Sequence, residues 1–543
     1  MGLIGGFVVI RENEPTDYTL GRSQKPVKVG RQYYAVLQDW SPEPIDDVWD
    51  DMSHDRMKWI GHQIDSDDAQ DCIQSNIAPL FGVIKQNTHL VNQKGWYNQK
   101  DIRERPSRLP LTNFAIKEEE NLLLRLVNGA YGQAYYVWVE EHDIWIVAMD
   151  GVSIEPIQVD SVLINTGERY DLLIVGLSRP KRSVYRFIIE TFDDFITNVT
   201  AREFTKNYGL ANLRYDEAKI NGKGWNFTQT NDGNEVDWAH QKCTKEMPCQ
   251  VLNCPHSEPF IGLALNYRCI TIDQLKNNDG PLSQDPEILQ ATHFPKGKFH
   301  EIFLNAHAGF NGWYYKMPMG IPYFNQQQMD RIAPPCDPLK CDRYKHVFDC
   351  QCFHHYEFQL GDIVQIVVST GANMPHTFHV HGTKFYVMKT GLMALNRSFT
   401  SDLECSARPC LEHKWSKDNW RNGNVPGMSK NPPLRDTVIV PNLGYMVLRF
   451  RATNPGWFFA HCHLLLHNLG GMSFAFRVGT NEQMPIPPPN YPRHCGIYDG
   501  ESDWNSVEKT QDHNSGKRFT QSWNLSLACL FFTILVYKCM FLK

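Results

Sequence analysis

Two short segments of the sequence contain six of its 21 histidines and constrain the folds that the chain can adopt. The histidines are His376, His379 and His381 in HTFHVH, and His461, His463 and His467 in HCHLLLH. Because side chains two residues apart on a β-strand point to the same face, each H-x-H triplet presents a pair of imidazoles. Clustering of this kind predicts a fold that brings both segments to a metal site.

Cys462 lies inside the second triplet and points away from the histidines that flank it, because its side chain occupies the opposite face of the strand. With His376, His467 and, as a weak fourth ligand, Met472, it offers the two imidazoles, thiolate and thioether that are typical of a blue copper site. Thiolate and thioether are soft ligands that favour copper. Zinc is disfavoured because its structural sites are closed tetrahedra that do not need an adjacent imidazole pair.

The other four histidines would offer imidazoles to a second metal centre, which Cys462 joins covalently to the first. They are His379, His381, His461 and His463. The competing interpretation is that the histidines are half-buried polar residues and that Cys462 is a small buried apolar one, as a lone cysteine usually is. Two H-x-H triplets, with a cysteine inside one and a methionine beyond that cysteine, favour the metal interpretation.

Short apolar runs rich in Val, Ile, Tyr and Phe recur along most of the chain, separated by turn residues. Examples are NLLLRLVNG, YYVWVEEHDIWIVAMDG and DTVIVPNLGYMVLRFRAT. Outside the C-terminal tail no long stretch places apolar residues at helical spacing, so the pattern predicts an all-β chain with two antiparallel sandwiches. We expect sandwiches at 27–200 and 299–485, a Cys-rich connection at 201–298, and a linker with an apolar tail at 486–543.

Fifteen cysteines, eight of them between Cys243 and Cys352, indicate an oxidising compartment, because cytosolic thiols rarely form disulfides. Setting aside Cys462 and the two cysteines of the tail leaves an even number, which is compatible with a full set of disulfides of undetermined pairing. The N-x-S/T sequons that would suit a secreted glycoprotein begin at Asn198, Asn226, Asn396 and Asn524. The net charge of −6, without a Lys/Arg stripe, argues against a nucleic-acid partner.

The two ends of the chain bear on its location. The chain starts with MGLIGGFVVI, which lacks the basic and cleavage regions of a signal peptide and looks like an internal strand. The apolar run from Leu525 to Leu542 is short for a bilayer span and is interrupted by Lys538. It resembles a GPI-attachment signal, with a tail-end membrane helix and a buried or sticky terminus as alternatives. We expect an extracellular or cell-surface protein with membrane association through this tail.

The copper-binding segments also resemble those of a known family. NPGWFFAHCHLLLHNLGGM, with LRDTVIVPNLG and MPHTFHVHG, resembles the two C-terminal copper signatures of the multicopper oxidases, which include laccases, ascorbate oxidases and ferroxidases. FAIKEEENLLLRLVNG, AMDG, IEPIQVD and GERYDLLIV resemble the central cupredoxin domain of laccases, and LQDW resembles its opening strand. CQVLNCP resembles the cysteine-rich insert of animal laccase-like members. The resemblance implies that both sandwiches are cupredoxin-like Greek-key domains.

The resemblance implies a role for each candidate ligand. The type 1 copper ligands, which take electrons from the donor, would be His376, Cys462, His467 and Met472. The type 2 ligand would be His379, and the type 3 ligands of the trinuclear cluster that reduces oxygen would be His381, His461 and His463. Electron transfer in catalysis would run from Cys462 to the histidines on either side of it. Thr377 stands where the family usually has proline, which we expect to alter backbone stiffness rather than ligation.

The family completes its trinuclear cluster with four more histidines, from two H-x-H motifs in an N-terminal cupredoxin domain. This sequence has no further H-x-H motif, and residues 1–26 resemble the end of that domain and its linker. We therefore expect a laccase-like oxidase of phenols, diamines or ferrous iron with O2 as acceptor, impaired by a half-complete copper cluster. The alternatives are an electron-transfer module that binds copper at the type 1 site without oxidase turnover, and a structural glycoprotein with vestigial copper motifs.

A further group of polar residues is expected to be structural, since buried polar groups mostly serve local hydrogen bonding. This group consists of Asp436, His142, Glu168 and the adjacent pair His354 and His355. The acidic run Asp46, Asp47, Asp50 and Asp51 is expected to be a solvated loop.

Overall fold

A computed structural model of the chain provides the structure. It describes residues 6, 8–9, 14–21, 26–40, 88–97, 110–191, 208–215, 243–254, 267–278, 285–290, 297–307, 309–325, 329–339, 341, 350–370, 375–392, 423–424, 427–441, 444–489 and 491.

The first sandwich is built from the strands between residues 17 and 270. In chain order they are β1 Asp17–Thr19, β2 Pro26–Trp40, β3 Thr88–Val91, β4 Lys94–Tyr97, β5 Thr112–Ile116, β6 Asn121–Asn128, β7 Tyr135–Val139, β8 Ile144–Met149, β9 Val152–Val159, β10 Ser161–Ile164, β11 Arg169–Ile174, β12 Val184–Thr191, β13 Tyr208–Tyr215, β14 Cys249–Leu252 and β15 Tyr267–Ile270. One sheet has the order β4-β3-β2-β6-β11-β8-β9, with β1 paired to β2, and the other has the order β15-β14-β10-β7-β12-β13-β5.

The alternation along β6 shows why these residues form a sandwich. Leu122, Leu124 and Leu126 are fully buried and belong to the core between the two sheets. Leu123, which points the other way, packs on the outer face of its sheet against Tyr18. A period of two with apolar residues on the inner face is what a β-sandwich requires, and β6 pairs antiparallel with β11 and parallel with β2.

The second sheet of this sandwich continues past residue 200. Strand β13 pairs with β12 and β5, and strands β14 and β15 extend the sheet from β10. The segment 201–298, expected as a connection, therefore supplies three strands to the first sandwich. Strands β14 and β15 have four residues each, and all three strands lie between polar stretches, so their pairing depends on neighbouring strands rather than on local composition.

The second sandwich is built from the strands between residues 299 and 478. They are β16 Phe299–His307, β17 Gly309–Phe310, β18 Tyr314–Tyr315, β19 Gln351–Cys352, β20 His355–Phe358, β21 Ile363–Thr370, β22 His376–Val380, β23 Phe385–Leu392, β24 Leu434–Arg435, β25 Thr437–Val440, β26 Gly444–Arg451, β27 Gly456–Cys462 and β28 Ser473–Val478. Its sheets have the orders β17-β16-β21-β26-β23-β24 and β20-β28-β27-β22-β25, and β18 pairs with β19.

Helical structure in the described part of the chain is limited to single turns. The α-helices are α1 Pro286–Gln290, α2 Met329–Ile332 and α3 Leu465–Leu469, and the 3-10 turns are Ile272–Gln274 and Asn481–Gln483. The expectation of an all-β chain is confirmed. Within the described ranges, no helix has the length and apolar character needed to cross a bilayer. The apolar tail and the four sequons lie outside the described residues.

Disulfides pair most of the cysteines that were expected to pair. The pairs are Cys243–Cys249, Cys254–Cys269, Cys336–Cys352 and Cys341–Cys350. Cys462 is the free cysteine of the described region, and it is buried. The disulfides agree with the expected oxidising compartment.

A buried ion pair joins the two sandwiches. Arg435 on β24 places its Nε 2.9 Å from Oδ2 of Asp150, which follows β8, and both side chains are fully buried. Arg435 also donates to the hydroxyl of Tyr170 at 2.7 Å and lies 3.5 Å from Glu168. A buried charge is tolerated only where partners surround it, so this contact holds the two sandwiches in one relative position.

Replacing Arg435 with methionine should destabilise the protein by about 3–5 kcal/mol, because Asp150 and Glu168 would stay buried without their cation. The free energy of unfolding from urea titrations would measure the loss. Lys276→Ala is the matched control, since Lys276 pairs with Glu155 at an exposed site and such pairs contribute at most about 1 kcal/mol. Equal losses in the two variants would contradict a docking role for Arg435.

Candidate metal centre

The two histidine segments lie on neighbouring antiparallel strands. In the pairing of β22 with β27, His379 lies opposite His461 and Phe378 lies opposite Cys462. Paired residues share a face of the sheet, so the two imidazoles point to one side and the sulfur points to the other. The alternation expected from the sequence is therefore present, and it separates two groups of candidate ligands.

The first group consists of Cys462, His376 and His467, and all three side chains are at most 3% exposed. Sγ of Cys462 lies 3.8 Å from Nδ1 of His376 and 3.5 Å from Nδ1 of His467. The two Nδ1 atoms are 3.1 Å apart. These three ligand atoms come from three chain segments and lie close enough together to bind a single metal ion.

The turn after β27 brings the remaining residues of this group into place. Helix α3 carries His467, and the N–H of Met472 donates to the carbonyl of His467 at 2.9 Å. The N–H of Cys462 in turn donates to the carbonyl of Met472 at 3.0 Å. Gly471 permits the tight return with a φ of +92°, at a point where a Cβ would lie 3.0 Å from the Tyr314 side chain. The side chain of Met472 is buried.

The chemistry of this group suits copper. Burial raises the pKa of the Cys462 thiol to about 12, so the thiolate form requires a cation beside it. Two imidazoles and one thiolate form a soft donor set that selects copper over harder metals, and Met472 is the candidate thioether. The residues present therefore fit copper at this position.

The second group lies on the other face of β27. The ligand atoms of His379, His381 and His461 lie within 4.8 Å of one another, and Nε2 of His381 is 3.2 Å from Nε2 of His461. The ring of His463 is centred 5.6 Å from that of His379 and 5.5 Å from that of His461. The four imidazoles predicted for the second centre therefore lie close together in the structure.

Two imidazoles of this group, His379 and His461, are held neutral. Burial, followed by the neighbouring His381 and His463, lowers the pKa of His379 well below its usual value. Burial also lowers the pKa of His461, with His381 and His379 as further causes. A neutral imidazole keeps a lone pair on one nitrogen, which is the form that binds a metal.

The first sandwich contributes to this group although it supplies none of its imidazoles. Gly167 lies against the ring of His463, where an added Cβ would be 2.5 Å from Cδ2, and its φ is +80°. Arg169 binds both carboxylate oxygens of Asp436, at 2.5 and 2.6 Å. Burial alone would raise the pKa of Asp436, but Arg169, Thr437 and Lys384 together outweigh burial and the pKa is lowered.

Asp39, at the end of the strand that carries LQDW, contributes to the first group from a distance. Its carboxylate accepts the N–H groups of Tyr131, Gly132 and Gln133 at 2.9 to 3.0 Å. The carbonyl of Tyr131 accepts the N–H of Leu465 at 2.9 Å, in the first turn of α3. Sequence reasoning identified neither Asp39 nor Gly167, because only the docked sandwiches bring them to the ligands.

Residues expected to be structural have local partners. His142 contacts the carbonyl of Glu140 at 2.6 Å and the hydroxyl of Tyr215 at 2.7 Å. The carboxylate of Glu168 accepts hydrogen bonds from Asn165 and Asn253. Asp436 is the exception, because its carbonyl lies 2.9 Å from Nδ1 of His379. The acidic run at 46–51 lies outside the described residues.

Comparison with known proteins identifies the family. Two family models described as multicopper oxidase match residues 31–218 and 325–482. The chain belongs to the multicopper oxidase family.

The individual relatives are distant. Laccase-5 of Arabidopsis thaliana is 25% identical over 403 residues, covering 69% of this chain and 62% of its own length. The iron transport multicopper oxidase FET3 of Saccharomyces cerevisiae is 23% identical over 381 residues, covering 69% of this chain and 50% of its own length. The chain thus spans less than two thirds of these relatives.

Solved structures agree on the fold. The crystal structure of Fet3p, a multicopper oxidase that functions in iron import, matches with a TM-score of 0.51 at 16% identity, over 84% of this chain and 69% of that one. The laccase of Botrytis aclada matches with a TM-score of 0.50 at 16% identity, over 85% of this chain and 66% of that one. The expectation of cupredoxin-like sandwiches is confirmed.

Gly167→Ala should reduce stability and displace the His463 ring, because it combines backbone strain at positive φ with a steric clash. We expect a loss of about 1–2 kcal/mol from the backbone and a further ~1–3 kcal/mol from the clash. Gly297→Ala is the matched control, since Gly297 has a φ of +78° with no atom within 4 Å of the added Cβ. The free energies of unfolding would be compared, and equal losses would show that Gly167 does not press on His463.

Proposed function

We propose that this chain is a laccase-like, copper-dependent oxidoreductase. It takes electrons one at a time from phenolic or diamine donors, or from ferrous iron, and passes them to O2, which is reduced to water. The names of the relatives, laccases and an iron transport oxidase, support these two donor classes. Within this sequence, the two H-x-H motifs described above supply the imidazoles proposed for O2 reduction.

The observation that carries this proposal is the position of Cys462 between the two groups of ligands. Its sulfur belongs to the first group, while the residues bonded to it on either side, His461 and His463, belong to the second. The backbone of three consecutive residues thus connects the groups by covalent bonds. Bound copper supplies one-electron redox chemistry in the first group and O2 reduction in the second.

We infer that the donor approaches the protein at α3. His467 is 2% exposed, whereas Leu469, two residues later on the same helix, is 37% exposed. A donor therefore approaches His467 from the protein surface at α3 and does not enter the first group of ligands. Such a donor needs to transfer only an electron across the imidazole, which is compatible with donors of different shape.

We assign the ligand roles accordingly. The first group, together with Met472, would hold the type 1 copper. His379 would be the type 2 ligand, and His381, His461 and His463 would be type 3 ligands. The first group lies wholly within the second sandwich. This location supports a second candidate function. This is a copper-binding electron-transfer module with a type 1 site and no oxidase turnover.

The proposed location is the cell exterior or surface. Four disulfides within the described residues support an oxidising compartment. The apolar residues 525–542 are the proposed membrane-associated segment, either as a GPI-attachment signal or as a membrane helix.

Cys462→Ser should abolish the blue thiolate-to-copper absorption band of the copper-loaded protein, because the hydroxyl cannot replace the soft thiolate. Met472→Leu is the matched control: it keeps the cysteine and both imidazoles, so the band should persist while the reduction potential changes. Visible absorption and redox titration are the measurements. A colourless wild-type protein with copper bound elsewhere would refute the type 1 assignment.

Oxygen consumption separates the two candidate functions. The blue wild-type protein would be mixed with a phenol or with ferrous iron in an oxygen electrode. Consumption that is lost in both Cys462→Ser and His463→Ala supports the oxidase. A protein whose blue colour is bleached by the donor, without oxygen uptake above that of Cys462→Ser, supports the electron-transfer module instead.

A further inference from the structure

The atoms around His379 determine which of its two ring nitrogens carries the proton. Nδ1 of His379 has two oxygen neighbours, the carbonyl of Asp436 and the hydroxyl Oγ1 of Thr437, each 2.9 Å away. A carbonyl oxygen can only accept a hydrogen bond. The role of the Thr437 hydroxyl, which can donate or accept, therefore decides whether Nδ1 carries the proton.

The Thr437 hydroxyl has its single proton engaged elsewhere. Oγ1 lies 2.8 Å from Oδ1 of Asp436 and donates to that carboxylate. Thr437 is fully buried, which leaves no water to compete. With its proton directed at Asp436, the hydroxyl presents a lone pair to His379. Both neighbours of Nδ1 then accept, so Nδ1 carries the proton and Nε2 keeps its lone pair.

The orientation of the Asp436 carboxylate depends on the other sandwich. Arg169, on β11, binds both of its oxygens in the bidentate geometry that arginine and carboxylate prefer. Arg435 cannot take over this role, because it is paired with Asp150. A contact between the sandwiches thus reaches the imidazole through Asp436 and Thr437.

We propose that Arg169, Asp436 and Thr437 are positioning residues that fix His379 as the Nδ1–H tautomer and aim Nε2 at the imidazole cluster. The imidazole cluster consists of His379, His381 and His461. That this cluster binds copper is part of the proposed function, on which the inference rests for this point. When the two sandwiches dock, Arg169 binds Asp436, and His379 thereby takes the tautomer that leaves Nε2 able to bind a metal. Without Arg169, the carboxylate can turn and the threonine hydroxyl is free to donate to Nδ1.

The test is the tautomer of His379 in metal-free protein labelled with ¹⁵N-histidine, with the signal assigned by its loss in His379→Gln. The wild type should show the proton on Nδ1. Arg169→Gln should populate the Nε2–H tautomer to about half or more, and copper affinity at the non-blue site should fall at least in proportion to the remaining competent fraction.

A double variant separates positioning from general damage to the interface. Adding Thr437→Val to Arg169→Gln removes the competing donor, so only the carbonyl acceptor remains and the Nδ1–H tautomer should return. Arg125→Gln is the matched control, because it breaks the 2.9 Å ion pair with Asp171 in the same sandwich without contact to His379. Its spectrum should equal that of the wild type.

Three results would overturn the inference: a wild-type proton on Nε2, an Arg169→Gln spectrum identical to the wild type, or a double variant that stays like Arg169→Gln. The last result would reduce Arg169 to a structural residue. A wild type that binds no copper would refute the proposed function alone, because the imidazole spectrum of metal-free protein is measured independently.

Discussion

The antiparallel pairing of β22 with β27, in which His379 lies opposite His461, is the constraint on which both ligand groups depend. Since side chains alternate along a strand, a shift of one residue would turn the sulfur of Cys462 toward the imidazoles. The register extends beyond the strands, where the N–H of His463 donates to the carbonyl of Thr377 at 2.6 Å. The carbonyl of Thr377 thus takes part in the ladder that holds the register.

The docking of the two sandwiches is the second constraint, because the site's supporting residues come from both. Asp39 holds the loop that contacts α3, Gly167 leaves room for His463, and Arg169 binds Asp436. Fully buried Arg435 and Asp150 make this docking specific, since misplaced buried charges would lose their partners. A site whose ligands belong to one sandwich is therefore shaped by the interface with the other.

Local patterns predicted much of this arrangement. Period-two apolar runs predicted the sandwiches, and the spacing of His461, Cys462 and His463 predicted that sulfur and imidazoles face different sites. The strands β13 to β15 were missed. β14 and β15 are four-residue strands at the end of their sheet, which depend on their neighbours for stability, and the eight-residue β13 lies in a part of the sequence dominated by polar residues. Asp436 was expected to be merely structural, because nothing in LRDTV indicates a contact with an arginine 267 positions away.

The sequence by itself determined which atoms are available as ligands and on which face of a strand each of them points, because alternation is a property of the local backbone. Only the tertiary structure decided which residues surround those ligands. Gly167, Arg169 and Thr437 reach the imidazoles through strand register and sandwich docking. Such contacts follow from the burial of apolar faces and the pairing of buried charges over the whole chain, and no short segment encodes them.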